Sequence, residues 1–257
     1  MSASRTYKAR GIVLRKTKLG EKDLIVTLLS EDGSLLRAVA KGARKPGGSL
    51  AARIDLFRVV DALLAKGRNL DVIAEAKLAA DDDAVPFGLE QSACASVVAE
   101  IVCTVAQEGL EHPRLFAMTS TALSEIACSD ARTALAVMTA DLLKTLASEG
   151  FTPSFDTCVV CGKPVNAGNA GGSVAVSLED GGVVCPLCQR PSDAVLVDAA
   201  VLAWAKALLY SRFADVSGLE IDDHTTFGVL HFARQWARVH AGKDLKSLDF
   251  VFTGGLF

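Results

Sequence analysis

Leu24-Ile-Val-Thr-Leu-Leu29, Ser30-Glu-Asp-Gly-Ser34, Leu35-Leu-Arg-Ala-Val-Ala40 is the stretch that decides the fold of the first part of this 257-residue chain. Two short runs of apolar and β-branched residues flank an Asp-Gly turn signal, which reads as two strands joined by a tight turn. Working outward, Gly11–Leu14, Leu56–Leu64 and Leu70–Ala74 have the same character. Lys18-Leu-Gly-Glu21, Lys45-Pro-Gly-Gly48 and Lys66-Gly-Arg-Asn69 separate them as further turns. Short strands with frequent turns predict a small barrel or sandwich, and five of them suit an OB-type barrel. The pattern alone leaves an SH3-like barrel open.

Beyond Asp81-Asp82-Asp83 and Pro86 the period changes. Val98, Ile101, Val102 and Val105 fall on one helical face, and Leu135, Met138, Leu142 and Leu146 on another. Ser129 or Asp130 is the candidate N-cap of that second helix and Gly150 its stop. A further helix is expected near Pro113–Ala127, and helical period returns at Asp198–Leu209 and Thr226–His240. Residues 151–192 interrupt it with four cysteines and the turn signal Asp180-Gly-Gly182. The expected class is α+β and multidomain. Residues 1–80 are expected to form an OB-type barrel domain, and residues 81–257 an α-helical domain with a four-cysteine module inserted at 151–192.

The composition is 50% apolar and 22% charged, enough to bury a core and too apolar for a disordered chain. No long uncharged apolar run suggests a membrane span, and the first residues lack the apolar region of a secretory signal. A cytoplasmic setting follows as the expectation, so the cysteines are read as metal ligands or buried thiols and not as disulfides. The net charge of −3 is split. Residues 1–80 carry 16 Lys+Arg against 8 Asp+Glu, and the remainder carries 11 against 22. A head with a net charge of +8 and a body with one of −11 point to a polyanion as the partner of the first domain.

Cys158-Val-Val-Cys161 and Cys185-Pro-Leu-Cys188 are two Cys-x-x-Cys pairs with 23 residues between them. Each such turn places two sulfurs on one side of an ion, and a ribbon brings the second pair across, the pattern of a structural zinc site. Four cysteines close the shell and leave no place for a catalytic water. Gly162 follows the first pair, where a tight turn needs relief. Cys94, Cys103 and Cys128 lie among apolar residues in helical stretches and read as small buried hydrophobes.

Lys41-Gly-Ala-Arg44-Lys45-Pro-Gly-Gly48 is a compact basic loop after a predicted strand, with glycines that let backbone and cations approach phosphates. Arg53 follows it, and Arg10, Arg15 and Lys16 precede it. These are the candidate DNA contacts. Residues 1–80 hold only two aromatics, Tyr7 and Phe57, so base stacking is limited and binding should be electrostatic, salt-sensitive and indifferent to sequence. The chain has no phosphate-binding Gly-rich motif and no nucleophile elbow, and its four histidines are scattered. Asp81–Asp83 reads as a solvated linker. No enzyme is apparent.

The chain resembles the RecO family of DNA recombination and repair mediators. Three stretches carry the resemblance: Tyr7-Lys-Ala-Arg-Gly-Ile-Val-Leu-Arg15 with Gly20-Glu-Lys-Asp-Leu-Ile-Val-Thr-Leu-Leu29; Gly33–Lys45 with its Lys-Gly-Ala-Arg-Lys; and Leu142–Pro153 leading into Cys158-Val-Val-Cys-Gly162. The resemblance implies a non-enzymatic protein that binds single- and double-stranded DNA and anneals complementary strands. It also implies engagement of RecR and the acidic C-terminal tail of single-strand-binding protein to help load RecA. Arg234 and Arg238, spaced i, i+4 beside Trp236 on the last predicted helix, are the candidates for that tail. The sequence departs from the family at Pro46–Arg53, where a further basic pair is often found, which implies a mobile loop and a weaker DNA contact. Some members lack the cysteines, which makes a zinc ion structural. The competing reading is a nucleic-acid-binding regulator that joins an OB barrel to a zinc ribbon and acts in transcription or on RNA.

Overall fold

The computed structural model describes residues 6–45, 50–82, 85–165, 172–189 and 194–257. The chain forms two compact units, Met1–Pro86 with Val105–Leu123, and Phe87–Thr104 with Ser124–Phe257.

The first unit is a closed barrel of β1 (Thr6–Leu19), β2 (Asp23–Ser30), β3 (Leu35–Ala40), β4 (Val59–Ala65) and β5 (Asp71–Leu78), in the order β1-β2-β3-β5-β4. Closure depends on the length of β1. Its first half, Thr6–Ile12, pairs with β4, and its second half, from Gly11 on, pairs with β2. A register shift between Val13 and Arg15 bends the strand between these two duties. The seam is the parallel pair β3–β5, which spans only Ala38↔Asp71 and Val39↔Val72. This is the five-stranded OB type, and its order removes the SH3-like alternative.

Alternation sets the core. Val60, Ala62 and Leu64 of β4 point inward at every second position, against Val26, Leu28, Ala38 and Ala40. A one-turn helix, α1 (Leu50–Arg53), was not apparent in the sequence; it delivers the fully buried Ile54 to the same core. Gly33 shows why the Asp-Gly turn is needed. Its φ is +82°, and a Cβ there would come within 1.9 Å of the His112 carbonyl oxygen. That segment is tied to the turn by the His112 amide donating to Asp32 O at 2.7 Å.

The second unit is mostly helical. After α1, the described residues form the helices α2 (Leu89–Val105), α3 (Pro113–Cys128), α4 (Ala131–Ser148), α5 (Ala199–Tyr210), α6 (Phe213–Val216), α7 (Asp223–His240) and α8 (Lys246–Thr253). Asp130 caps α4 by accepting from the Thr133 amide at 2.8 Å. Gly150, at φ +93°, ends it, and the Phe151 amide returns to Leu146 O at 3.0 Å. Leu135, Met138, Leu142 and Leu146 are buried, as their spacing predicts. Arg234 and Arg238 lie on α7, which is followed by the short α8, so theirs is not the last helix.

Residues 151–189 and the strand after them carry a three-stranded sheet, β7-β6-β8, of β6 (Ser173–Ser177), β7 (Gly182–Val184) and β8 (Val195–Asp198). Part of the expected finger, 166–171, lies outside the described residues, as do 46–49 of the basic loop and Asp83. No helix among the described residues is long and apolar enough to cross a membrane.

Candidate metal centre and nucleic-acid interface

Two knuckles converge in the small sheet. In the first, the Gly162 amide donates to Cys158 O at 2.9 Å with Gly162 at φ +70°, so only this turn uses a left-handed residue. In the second, the Cys188 and Gln189 amides both donate to Cys185 O, at 2.9 and 3.0 Å, and no positive φ is required. The two hairpins place the Sγ atoms of Cys158, Cys161, Cys185 and Cys188 within 4.8 Å of one another. Cys161 Sγ and Cys185 Sγ are 3.7 Å apart, too far for a disulfide and close to the edge of about 3.8 Å that metal–sulfur bonds of about 2.3 Å give in a tetrahedron. The Cys185 amide donates to Cys158 Sγ at 3.3 Å. That bond is the main cause holding the Cys158 thiol down at about 6. An amide turned on sulfur stabilises its thiolate form, and four cysteine sulfurs gathered this closely make a closed soft-donor set suited to a metal ion.

The remaining cysteines divide. Cys94 is buried, and burial pushes its thiol up to about 12; Cys103 is half-buried. Cys128 is exposed, contrary to the expectation of a buried hydrophobe, because it is the last residue of α3. Three of the four histidines make structural contacts. His112 Nδ1 accepts from the Leu115 amide at 3.2 Å, while His231 stacks on Phe252 and His240 on Phe151.

On the barrel, the basic turn is built and not loose over Lys41–Lys45. Ala43 is buried in the barrel core and anchors it. Asp23 Oδ1 accepts from the Gly42 amide at 2.7 Å, and the Arg44 amide donates to Lys22 O at 2.9 Å. The Lys45 amide closes the turn on Gly42 O, where φ is +65°. Lys41, Arg44 and Lys45 are thereby exposed together, with the exposed Lys22 and the β1–β2 turn beside them. Arg44 also donates to Gly20 O at 3.0 Å, which orients its guanidinium. Asp23 as organiser has no signature in the sequence. Its partner is a backbone amide 19 residues away, and no local pattern signals that.

The other candidate contacts are distributed. Arg15 is exposed on β1, and Lys16 next to it is half-buried and paired with Asp55 at 2.8 Å. Arg53, at the end of α1, is exposed and lines a groove of about 860 Å³ with Lys8, Arg10, Asp61, Glu75 and Lys77. Arg10 is engaged by Asp81, whose two carboxylate oxygens accept from one of its terminal nitrogens. Its neighbours Asp61 and Glu31 add negative charge. Asp82 pairs with Arg58 at 3.3 Å and accepts from the Val59 amide at 2.8 Å. Asp81 and Asp82 therefore do not form a solvated linker. Both are partners of barrel arginines.

On α7, Arg234 reaches Asp249 at 2.6 Å and Asp244 at 3.7 Å, and Arg238 reaches Asp244 at 4.0 Å. Trp236 is fully buried and donates its indole N–H to Phe151 O at 2.8 Å. It belongs to the core and cannot floor a groove beside the two arginines.

The fold and the cysteine cluster define an OB-type barrel protein whose helical region carries four clustered cysteines that could hold a metal ion. Residues 1–81 match the family described as Recombination protein O N terminal, and residues 87–249 match Recombination protein O C terminal. DNA repair protein RecO of Bifidobacterium longum (strain DJO10A) is 30% identical over 248 residues, 95% of this chain and 98% of that one. The DNA repair protein RecO of Bifidobacterium adolescentis is 29% identical over 251 residues with the same coverage. The chain belongs to the RecO family of DNA repair proteins.

Proposed function

We propose that this protein is a non-enzymatic mediator of recombinational repair. It binds single- and double-stranded DNA through the barrel, anneals complementary strands and helps to load RecA on strands coated with single-strand-binding protein. The observation that carries the reading is the locked basic turn: three exposed cations, Lys41, Arg44 and Lys45, held on the barrel core by Ala43 in a chain of a DNA-repair family.

Complementary strands repel through their phosphates. A surface that neutralises about 6–10 of them releases counterions and lowers that barrier. Lys41, Arg44, Lys45 and Arg15 are the principal contacts in this reading, with Lys16 and Arg53 at the margin. Arg10 contributes only when Asp81 is displaced. Two aromatics in the first 80 residues support backbone contact over base stacking. The metal is zinc, held by Cys158, Cys161, Cys185 and Cys188 as a structural ion that staples a segment with a small apolar core of its own. The protein partners are RecR and the acidic tail of single-strand-binding protein, with RecA acting downstream, and the setting is the nucleoid in the cytoplasm. Arg234 and Arg238, which already hold the carboxylates of Asp244 and Asp249, are the candidates for the tail.

The test is annealing of complementary strands coated with the cognate single-strand-binding protein, with and without its acidic tail. Tail-dependent acceleration is expected. Acceleration of bare strands only would reduce the activity to a polycation effect. A sequence-specific or RNA-selective footprint would favour a regulator instead.

A further inference from the structure

The two cysteine knuckles do more than hold sulfur. In each, the residue before the second cysteine projects into solvent: Val160 is 60% exposed and Leu187 88% exposed. Single exposed aliphatic residues are ordinary; two that flank one depression are not. Between them lies a groove of about 550 Å³, lined by Val159, Val160, Val184, Leu187 and Ala194 along its apolar walls. That volume lies within the range of about 300–1,000 Å³ of sites that enclose a ligand. Among the described residues, the one charged side chain that lines it is Asp180. Asp180 Oδ2 accepts from Ser177 Oγ at 2.8 Å, and a carboxylate retains further acceptor capacity.

The charge of the groove selects its occupant. Asp180 is exposed at the groove and sets the sign of its charge among the described lining residues. Phosphate backbones are repelled there. A cation is attracted, and aliphatic side chains find apolar walls.

We propose that the groove between the two knuckles is a docking site for a partner-protein segment that combines a pair of aliphatic side chains with a lysine or arginine. The aliphatic pair packs between Val160 and Leu187, and the cation meets Asp180. This surface is separate from the barrel's basic turn. It binds a basic, apolar peptide, where the basic turn binds a polyanion.

The experiment is selection of a random dodecapeptide library displayed on phage against the metal-loaded full-length chain, followed by binding of the enriched synthetic peptide in solution. The expected consensus is two aliphatic residues with Lys or Arg. Binding to a Val160→Ser/Leu187→Ser variant should fall at least about tenfold. Binding to Asp180→Asn should fall several-fold and lose its dependence on salt. Leu187→Ser alone, at the most exposed of these positions, is the control variant if the double variant loses metal or melts early. Peptides that bind the double variant as well as the wild type, an acidic consensus, or the absence of any enrichment would overturn the proposal. So would displacement of the peptide by a single-stranded oligonucleotide, which would make the groove a nucleic-acid surface.

Discussion

Arg10 of β1 and Asp81, 71 residues later, form a two-oxygen contact in which one guanidinium nitrogen donates to both carboxylate oxygens. The contact raises the Arg10 pKa and lowers that of Asp81. An arginine that sequence reading assigns to phosphate is therefore already occupied by an internal carboxylate. Replacing Asp81 by Asn frees it. The expected result is tighter DNA binding and a salt slope steeper by up to about 1, measured by fluorescence anisotropy over a salt series. An unchanged slope would mean that Arg10 never meets DNA.

The basic turn is tested by charge removal. Lys41→Ala, Arg44→Ala and Lys45→Ala together should flatten the salt slope by up to about 3 charges and weaken binding equally for all sequences. The turn's scaffold, Ala43 and the Asp23–Gly42 bond, is untouched by these changes, so the melting temperature should hold. A slope equal to that of the wild type would remove the turn from the interface.

Asp141 gives a pH dependence. It is fully buried on α4, neither carboxylate oxygen has a hydrogen-bond partner, and burial pushes its pKa up to about 8. Between its ordinary value and about 8 the folded state binds a proton that the unfolded state has lost. Stability attributable to this group therefore falls as pH rises through that window, by at most about 1.4 kcal/mol per pH unit. Chemical denaturation at pH 5 and pH 8 should show the loss. Asp141→Asn should remove it and stabilise the protein at pH 8, and an identical pH slope in the variant would contradict the assignment.

Glu100 caps a helix from a distance. The α8 N-terminus begins at Leu245, which has no capping side chain. Instead the Glu100 carboxylate of α2 accepts from the amides of Lys246 at 3.1 Å and Ser247 at 2.7 Å. Glu100→Ala should cost about 1 kcal/mol in urea denaturation and speed hydrogen exchange at those two amides. Unchanged exchange would show that the cap is not retained in solution.

Metal removal should act on stability before activity. Cys185→Ser, or a chelator, should release the ion and lower the melting temperature while the barrel keeps its affinity for short duplex DNA. Wild-type melting of a metal-free variant would contradict a structural role.

Much of this could be read from local signals. Alternation at Val60, Ala62 and Leu64, the Asp-Gly turn at Gly33, the cap Asp130 and the stop Gly150 each act over a few residues, where turn and period chemistry is decisive. The Cys-x-x-Cys pairs were legible because the chemistry of a tetrahedral site dictates their spacing. The one-turn α1, too short for a period, was not legible.

The sequence by itself determined the barrel strands and the long helices, the barrel's excess of cations and the soft-donor set. Only the tertiary structure decided which charges are free. It paired Arg10 with Asp81 and Arg58 with Asp82, and left Lys41, Arg44 and Lys45 exposed together. It also buried Trp236 and Asp141 and turned Val160 and Leu187 outward. Period and turn chemistry act between near neighbours in the chain. Ion pairing and burial depend on what the fold brings from far along it, and neither leaves a local trace.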